Sequence, residues 1–184
     1  HTVQAVLETP PVASSGDAAD DPVIWVHPTD PLLSLVIGTD KDKGLNVYDL
    51  EGRLLQELPD GRLNNVDLRD DFMLGGLGVT VIAASNRSND SIALYLLNPA
   101  TRQLTSAGPA VPTGLGDPDG LCMYESAVTG AFFVFVDDSG VGAFQQWQLS
   151  DDGGQLGAEL VREFNVGGPA EGCGSSMRNR PSPS

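Results

Sequence analysis

Basic and sulfur-bearing side chains are scarce in this chain of 184 residues: ten Lys plus Arg, two Cys and two His. Against 25 Asp plus Glu, the ten cations leave a formal net charge of −15. A surface this acidic excludes nucleic acid and anionic membrane as partners, because both need a basic patch. It also repels a phosphorylated ligand, unless some carboxylates bind cations that reverse the local sign. Cys122 and Cys173, like His1 and His27, lack zinc-ligand spacing. A Cys122–Cys173 disulfide and two free thiols both remain open readings. No apolar stretch approaches the roughly 20 residues of a membrane span; the longest dense run, Ala131 to Val136, suits a buried strand. No signal peptide is visible, and the start at His1 rather than Met reads as that of a mature or clipped chain. Missing too are a Gly-x-Ser-x-Gly elbow, a Walker loop, a Cys–His pair and an Arg-His phosphotransfer pair. Covalent catalysis is thereby disfavoured, and metal-activated water is the chemistry left.

Gly and Pro, by contrast, are abundant, at 22 and 13 residues, and punctuate the chain every few positions. That pattern indicates an all-β fold with many turns. Three segments stack on one another. The first runs Leu35-Val36-Ile37-Gly38-Thr39-Asp40-Lys41 then Leu45-Asn46-Val47-Tyr48-Asp49-Leu50. The second runs Val81-Ile82-Ala83-Ala84-Ser85-Asn86-Arg87 then Ile92-Ala93-Leu94-Tyr95-Leu96-Leu97. The third runs Phe133-Val134-Phe135-Val136-Asp137-Asp138-Ser139 then Phe144-Gln145-Gln146-Trp147-Gln148-Leu149. Each is an apolar strand, a polar loop with Asp or Asn, and a strand ending aromatic-x-Leu. Tyr48, Tyr95 and Trp147 are 47 and 52 residues apart. One repeat per ~40–50 residues suggests β-propeller blades, with a β-sandwich as the competing fold. The chain then holds about three to four blades, too few to shield both end blades. From Gly167 the sequence turns to Gly, Ser, Pro and Arg, and reads as a linker or as an out-of-frame or truncated end. The expected division is an extension over 1–16, a partial propeller over 17–173 and a disordered or aberrant tail over 174–184.

Four features bear on chemistry. Asp17, Asp20 and Asp21 crowd three carboxylates before a strand, which suits either Ca²⁺ or a solvated acidic turn. Lys41 and Arg87 occupy the same loop slot in successive repeats, where they either gather an anion such as phosphate or act as ordinary loop charges paired with acids such as Asp42 or Asp90. Ser139 fills that slot in the third repeat. Asp60-Gly61-Arg62-Leu63-Asn64-Asn65-Val66-Asp67 and Gly116-Asp117-Pro118-Asp119-Gly120 read first as turns.

Taken together, Asp17-Ala18-Ala19-Asp20-Asp21-Pro22-x-Ile24-Trp25, Gly44-Leu45-x-Val47-Tyr48, Asp60 to Val66 and Ala84-Ser85-Asn86-Arg87-Ser88 resemble the β-propeller phytases, from about Asp17 to Cys173. The resemblance implies a six-bladed fold and calcium-dependent hydrolysis of phytate, myo-inositol hexakisphosphate. It implies that Asp20 belongs to a catalytic calcium cluster. It also implies that Asp21, with the carbonyls of Pro22 and Val66, holds a further calcium ion, and that Glu171 bridges calcium. Lys41 and Arg87 match phosphate-binding positions and are expected to steady the transition state. Asp119 and Ser139 stand where the family usually has Tyr and Lys in contact with substrate phosphate; Asp119 is expected to repel phosphate instead. The resemblance further implies a secreted or periplasmic protein, and the expectation is a monomer that acts on calcium phytate. Two rival readings are a truncated, non-catalytic calcium-binding propeller fragment, which Asp119, Ser139 and the tail favour, and a calcium lactonase, which Lys41 and Arg87 oppose.

Overall fold

A computed structural model describes residues 6–170 and 172–174. Three four-stranded antiparallel blades follow one another along the chain. The first comprises β1 (Ala19–Trp25), β2 (Leu35–Asp40), β3 (Gly44–Asp49) and β4 (Leu54–Leu58). The second comprises β5 (Leu63–Leu74), β6 (Leu77–Asn86), β7 (Ser91–Asn98) and β8 (Gln103–Ser106), with the short β9 (Val111–Pro112) also paired to β7. The third comprises β10 (Pro118–Glu125), β11 (Phe132–Asp138), β12 (Ala143–Asp151) and β13 (Leu156–Asn165). The one helical element among the described residues is a 3₁₀ turn, Pro31–Leu33, capped by the Asp30 carboxylate accepting from the Leu32 amide. The first strands of the blades pack side by side, β1 on β5 and β5 on β10. They form the inner wall on which the site is built.

Tyr48, Tyr95 and Trp147 each occupy the fifth position of their blade's third strand, so the repeat seen in the sequence is the blade repeat. Apolar runs such as Val81-Ile82-Ala83-Ala84 have a simple cause. The middle blade is covered on both faces, so its alternating side chains all need to be apolar. Ile82, Ala84, Ala93 and Tyr95 pack toward the first blade, against Trp25, Leu35, Ile37 and Val47. Val81, Ala83, Ile92 and Leu94 pack toward the third, against Leu121, Met123, Val134 and Val136. The end blades lack this second cover: Ile24 and Val26 are each 61% exposed, and β13 is exposed over most of its length.

Charged side chains also bridge blades. The Val66 amide donates to Asp21 Oδ2 at 3.0 Å, joining blades 1 and 2. The Met123 amide donates to Asp67 Oδ2 at 2.8 Å, joining blades 2 and 3. At the outer side, Gln56 donates to the Leu104 carbonyl and accepts from its amide, at 2.9 and 2.8 Å.

Cys122 and Cys173 form a disulfide, which settles the question that the spacing left open. It pins the segment after β13 back onto the innermost strand. Close approach along this segment explains two glycines. A Cβ on Gly120 would lie 2.5 Å from the Gly172 Cα, and one on Gly142 (φ +73°) would lie 2.0 Å from the Gly168 carbonyl oxygen. Removing the bond as Cys122→Ala with Cys173→Ala should destabilise the chain by about 2–4 kcal/mol, seen as a lower thermal midpoint that added reductant no longer shifts.

Asp138 closes the end of β11. Its carboxylate accepts from the Val141 amide at 2.9 Å and the Ala143 amide at 2.7 Å. These backbone bonds, that of Val141 foremost, hold its carboxyl below the ordinary Asp value despite burial. A depressed folded pKa adds stability above the unfolded value, and that stability is lost as pH falls through the folded value. Asp138→Ala should therefore cost about 1–3 kcal/mol at neutral pH, with the gap to the unmutated chain closing in acid denaturation titrations.

Candidate functional site

Each inner strand begins with the same irregularity. In β1, Asp20 and Asp21 oppose the single residue Thr39; in β5, Asn64 and Asn65 oppose Ser85; in β10, Asp119 and Gly120 oppose Asp137. Two residues against one make a β-bulge, which redirects side chains that would otherwise alternate. The opposing side chain fastens each bulge by accepting from the amide of its second residue. Asp21 donates to Thr39 Oγ1 at 3.0 Å, Asn65 to Ser85 Oγ at 3.0 Å and Gly120 to Asp137 Oδ1 at 2.7 Å. Thr39, Ser85 and Asp137 are buried polar residues in otherwise apolar strands. That oddity, two positions before the Lys41, Arg87 and Ser139 slot, is the sequence signal by which the bulges could have been found.

The slot itself is equivalent in all three blades. The amides of Lys41, Arg87 and Ser139 donate to the carbonyls of Ala18, Arg62 and Asp117, at 2.8, 2.9 and 3.2 Å. One residue earlier, Asp40, Asn86 and Asp138 turn back to accept from the amides of Asp42, Ser88 and Val141. Three Asx-type turns thus present three side chains at one register.

These side chains meet carboxylates. Lys41 Nζ lies 2.8 Å from Asp17 and 3.3 Å from Asp20. The bond to Asp17 raises the Lys41 pKa and lowers that of Asp17. Arg87 pairs with Asp119, and its Nε lies 3.5 Å from Asp117. Ser139 Oγ donates to Asp117 Oδ2 at 2.7 Å. Asp119 also accepts from Asn64 Nδ2 at 2.5 Å. Of the two readings of Lys41 and Arg87 weighed from sequence, pairing with nearby acids describes this structure. The partners, however, are Asp17 and Asp20 for Lys41 and Asp117 and Asp119 for Arg87, in place of the Asp42 and Asp90 expected from spacing.

Asp21 reaches across the blade boundary and accepts from the amide of Val66, 45 positions away. Burial pushes the Asp21 carboxyl above its usual range; the Val66 amide opposes this, and the neighbouring charges of Asp20 and Asp67 reinforce it. Asp67 was not among the residues singled out as metal ligands. Among the described residues, no group of three or more His, Cys, Asp or Glu is gathered for a metal. The carboxylates of Asp20 and Asp67 near Asp21 are hard oxygen donors, of a kind that suits Ca²⁺ rather than zinc. Pro22 follows Asp21 in β1. Glu171 lies outside the described residues.

The two motifs read first as turns have different fates. In the first, Asp60 accepts from the Tyr95 hydroxyl at 2.8 Å, and its carbonyl accepts from Asn86 Nδ2 at 2.9 Å. Burial and the Asp60 bond push the Tyr95 phenol well above its usual range, so it stays a donor. This stretch supports the loop, and only its Asn64 end enters the site. The second is a turn only at Gly116 and Asp117; strand β10 starts at Pro118, and Asp119 sits in its bulge.

The solved periplasmic gluconolactonase of Pseudomonas aeruginosa, PpgL, superposes with a TM-score of 0.57 at 20% identity, over 81% of this chain and 41% of that one. At that identity the likeness concerns the fold alone. The 3-phytase of Bacillus subtilis (strain 168) is 42% identical over 176 residues, 92% of this chain and 46% of the relative. The chain thus spans about half the length of the curated relative it matches. The family model described as Phytase matches residues 1–177, and the chain belongs to the phytase family.

Proposed function

We propose that the chain forms part of a calcium-dependent phosphomonoester hydrolase that acts on phytate by metal-activated water. The observation that carries this reading is the repeated slot, which sets Lys41 and Arg87 at one register on adjacent blades of an acidic protein. The 42% identity to a 3-phytase supports it. Asp20, Asp21 and Glu171, with the carbonyls of Pro22 and Val66, would hold calcium. The buried Asp21 between the charges of Asp20 and Asp67 is a carboxylate that a cation would relieve. Calcium so held supplies positive charge toward phosphate oxygens and lowers the pKa of a water. Lys41 supplies a compact charge and Arg87 a planar fork of donors, both suited to phosphoryl oxygens as charge builds on them. Ser139 offers one neutral hydroxyl at the third slot. A secreted or periplasmic location fits the disulfide, which persists in oxidising compartments, and the protein is proposed to act as a monomer.

A second reading, a non-catalytic calcium-binding propeller fragment, draws on the carboxylates that cover both cations. Phosphate release from phytate, with calcium or with a chelator, separates the two. Lys41→Met and Arg87→Met should each lower kcat/KM for phytate about 10²-fold, as expected for loss of one transition-state donor; full turnover by the double variant would overturn the assignment. Calcium is tested without activity. At saturation about a hundredfold above its Kd, it should add about 2.7 kcal/mol to stability, measured as a shift in thermal midpoint. Asp21→Asn should remove that shift while leaving the chelated protein no less stable, because an ionised, partly buried Asp21 is unfavourable without a cation. Retention of the full shift in Asp21→Asn would assign the calcium elsewhere.

A further inference from the structure

Lys41 and Arg87 share a register and are equally sheltered, but their partners differ. Lys41 meets Asp20, 34% exposed, at 3.3 Å and, at 2.8 Å, Asp17, whose side chain is 91% exposed. A pair of that kind is weak and yields readily to an incoming anion. Arg87 and Asp119 are sheltered, with side chains 19% and 14% exposed. Their attraction is less screened, because water is largely excluded around both. Asp119 is also fixed in place. Its Oδ1 accepts from Asn64 Nδ2 at 2.5 Å, its carbonyl accepts from Ser85 Oγ at 2.5 Å, and the next amide, that of Gly120, is held by Asp137. The first two contacts cross from blade 2 to blade 3, and together the three keep the carboxylate on the guanidinium. Asp117 flanks the same guanidinium at 3.5 Å.

Carboxylate and phosphate oxygens offer a guanidinium the same acceptor chemistry. We propose that Asp119 is an internal anion seated at the Arg87 phosphate position, where it sets what that position accepts. This rests on the reading of Arg87 as a phosphate-binding group and deepens it. A phosphoryl group reaches Arg87 only by displacing Asp119, and free inorganic phosphate is expelled when Asp119 returns. A ligand with a single phosphate cannot recover the cost of displacement. An ester with several phosphates recovers it by engaging Lys41 as well. Asp119 is thus a specificity-determining residue that favours polyphosphorylated substrates and suppresses retention of the product.

The test measures binding of inorganic phosphate by calorimetry to the full chain. Asp119→Asn removes the charge but keeps the acceptor for Asn64, and it should tighten phosphate binding about tenfold, the equivalent of about 1.4 kcal/mol. Asp117→Asn, at a carboxylate that is more exposed and lies farther from the guanidinium, should give a smaller gain. Adding Arg87→Gln to Asp119→Asn should abolish the gain. A role for Asp119 confined to holding the blades together would lower stability without raising phosphate affinity. A folded Asp119→Asn with equal or weaker phosphate affinity overturns the proposal, and Asp119→Ser gives the same reading should Asp119→Asn fail to fold. If phytate is hydrolysed while Asp119→Asn leaves phosphate affinity unchanged, the internal anion is wrong and the hydrolase reading stands. If Asp119→Asn gains affinity through Arg87 while neither chain releases phosphate from phytate, the internal anion stands and the hydrolase reading falls.

Discussion

A single hydrogen bond, made three times, underlies the arrangement of this protein: a buried side chain on the second strand of each blade grips a bulge amide on the first. Without Thr39, Ser85 and Asp137 in those places, the paired residues opposite them would have an amide buried and unmatched. With them, two residues per inner strand stand against one partner and escape the ordinary alternation. What stands at the bulge then decides the local chemistry. Two aspartates in the first blade give a negative site, two asparagines in the second give a neutral, hydrogen-bonding one, and Asp119 with Gly120 in the third gives a carboxylate beside a strand where the Cys173 segment passes close.

Apolar packing positions these bulges relative to one another. The middle blade is buried on both faces, so its strands are fixed against both neighbours. Charged contacts also cross the blade boundaries: Asp21 with Val66, Asp67 with Met123, and Arg87 with Asp119. Contacts of this kind couple the site to blade packing. A shift of one blade by an ångström would loosen the ligand-facing residues as well as the core.

Much of the fold was legible in the sequence. The apolar strand, the Asp or Asn loop and the aromatic-x-Leu strand recur because each blade solves the same burial problem, and Tyr48, Tyr95 and Trp147 fall at one position in it. The equivalence of Lys41, Arg87 and Ser139 was legible for the same reason. Their ion-pair partners were not. Asp119 reaches Arg87 across 32 residues and a blade boundary, and no local pattern encodes a contact at that separation. The disulfide was hidden likewise, since it joins residues 51 apart that only the return of the chain from β13 brings together. The turn expected at Gly116 to Gly120 gave way to a strand, because Asp119 and Gly120 sit in a bulge that pairing with β11 requires and that local propensity does not register.

The Cys122–Cys173 bond has a consequence for how the third blade is closed. Its two sulfurs become native neighbours only once β11, β12 and β13 have folded back beside β10. The cross-link therefore spans the whole third blade, tying the residues that leave its last strand to its first. In a reducing compartment that blade would stand without its clasp.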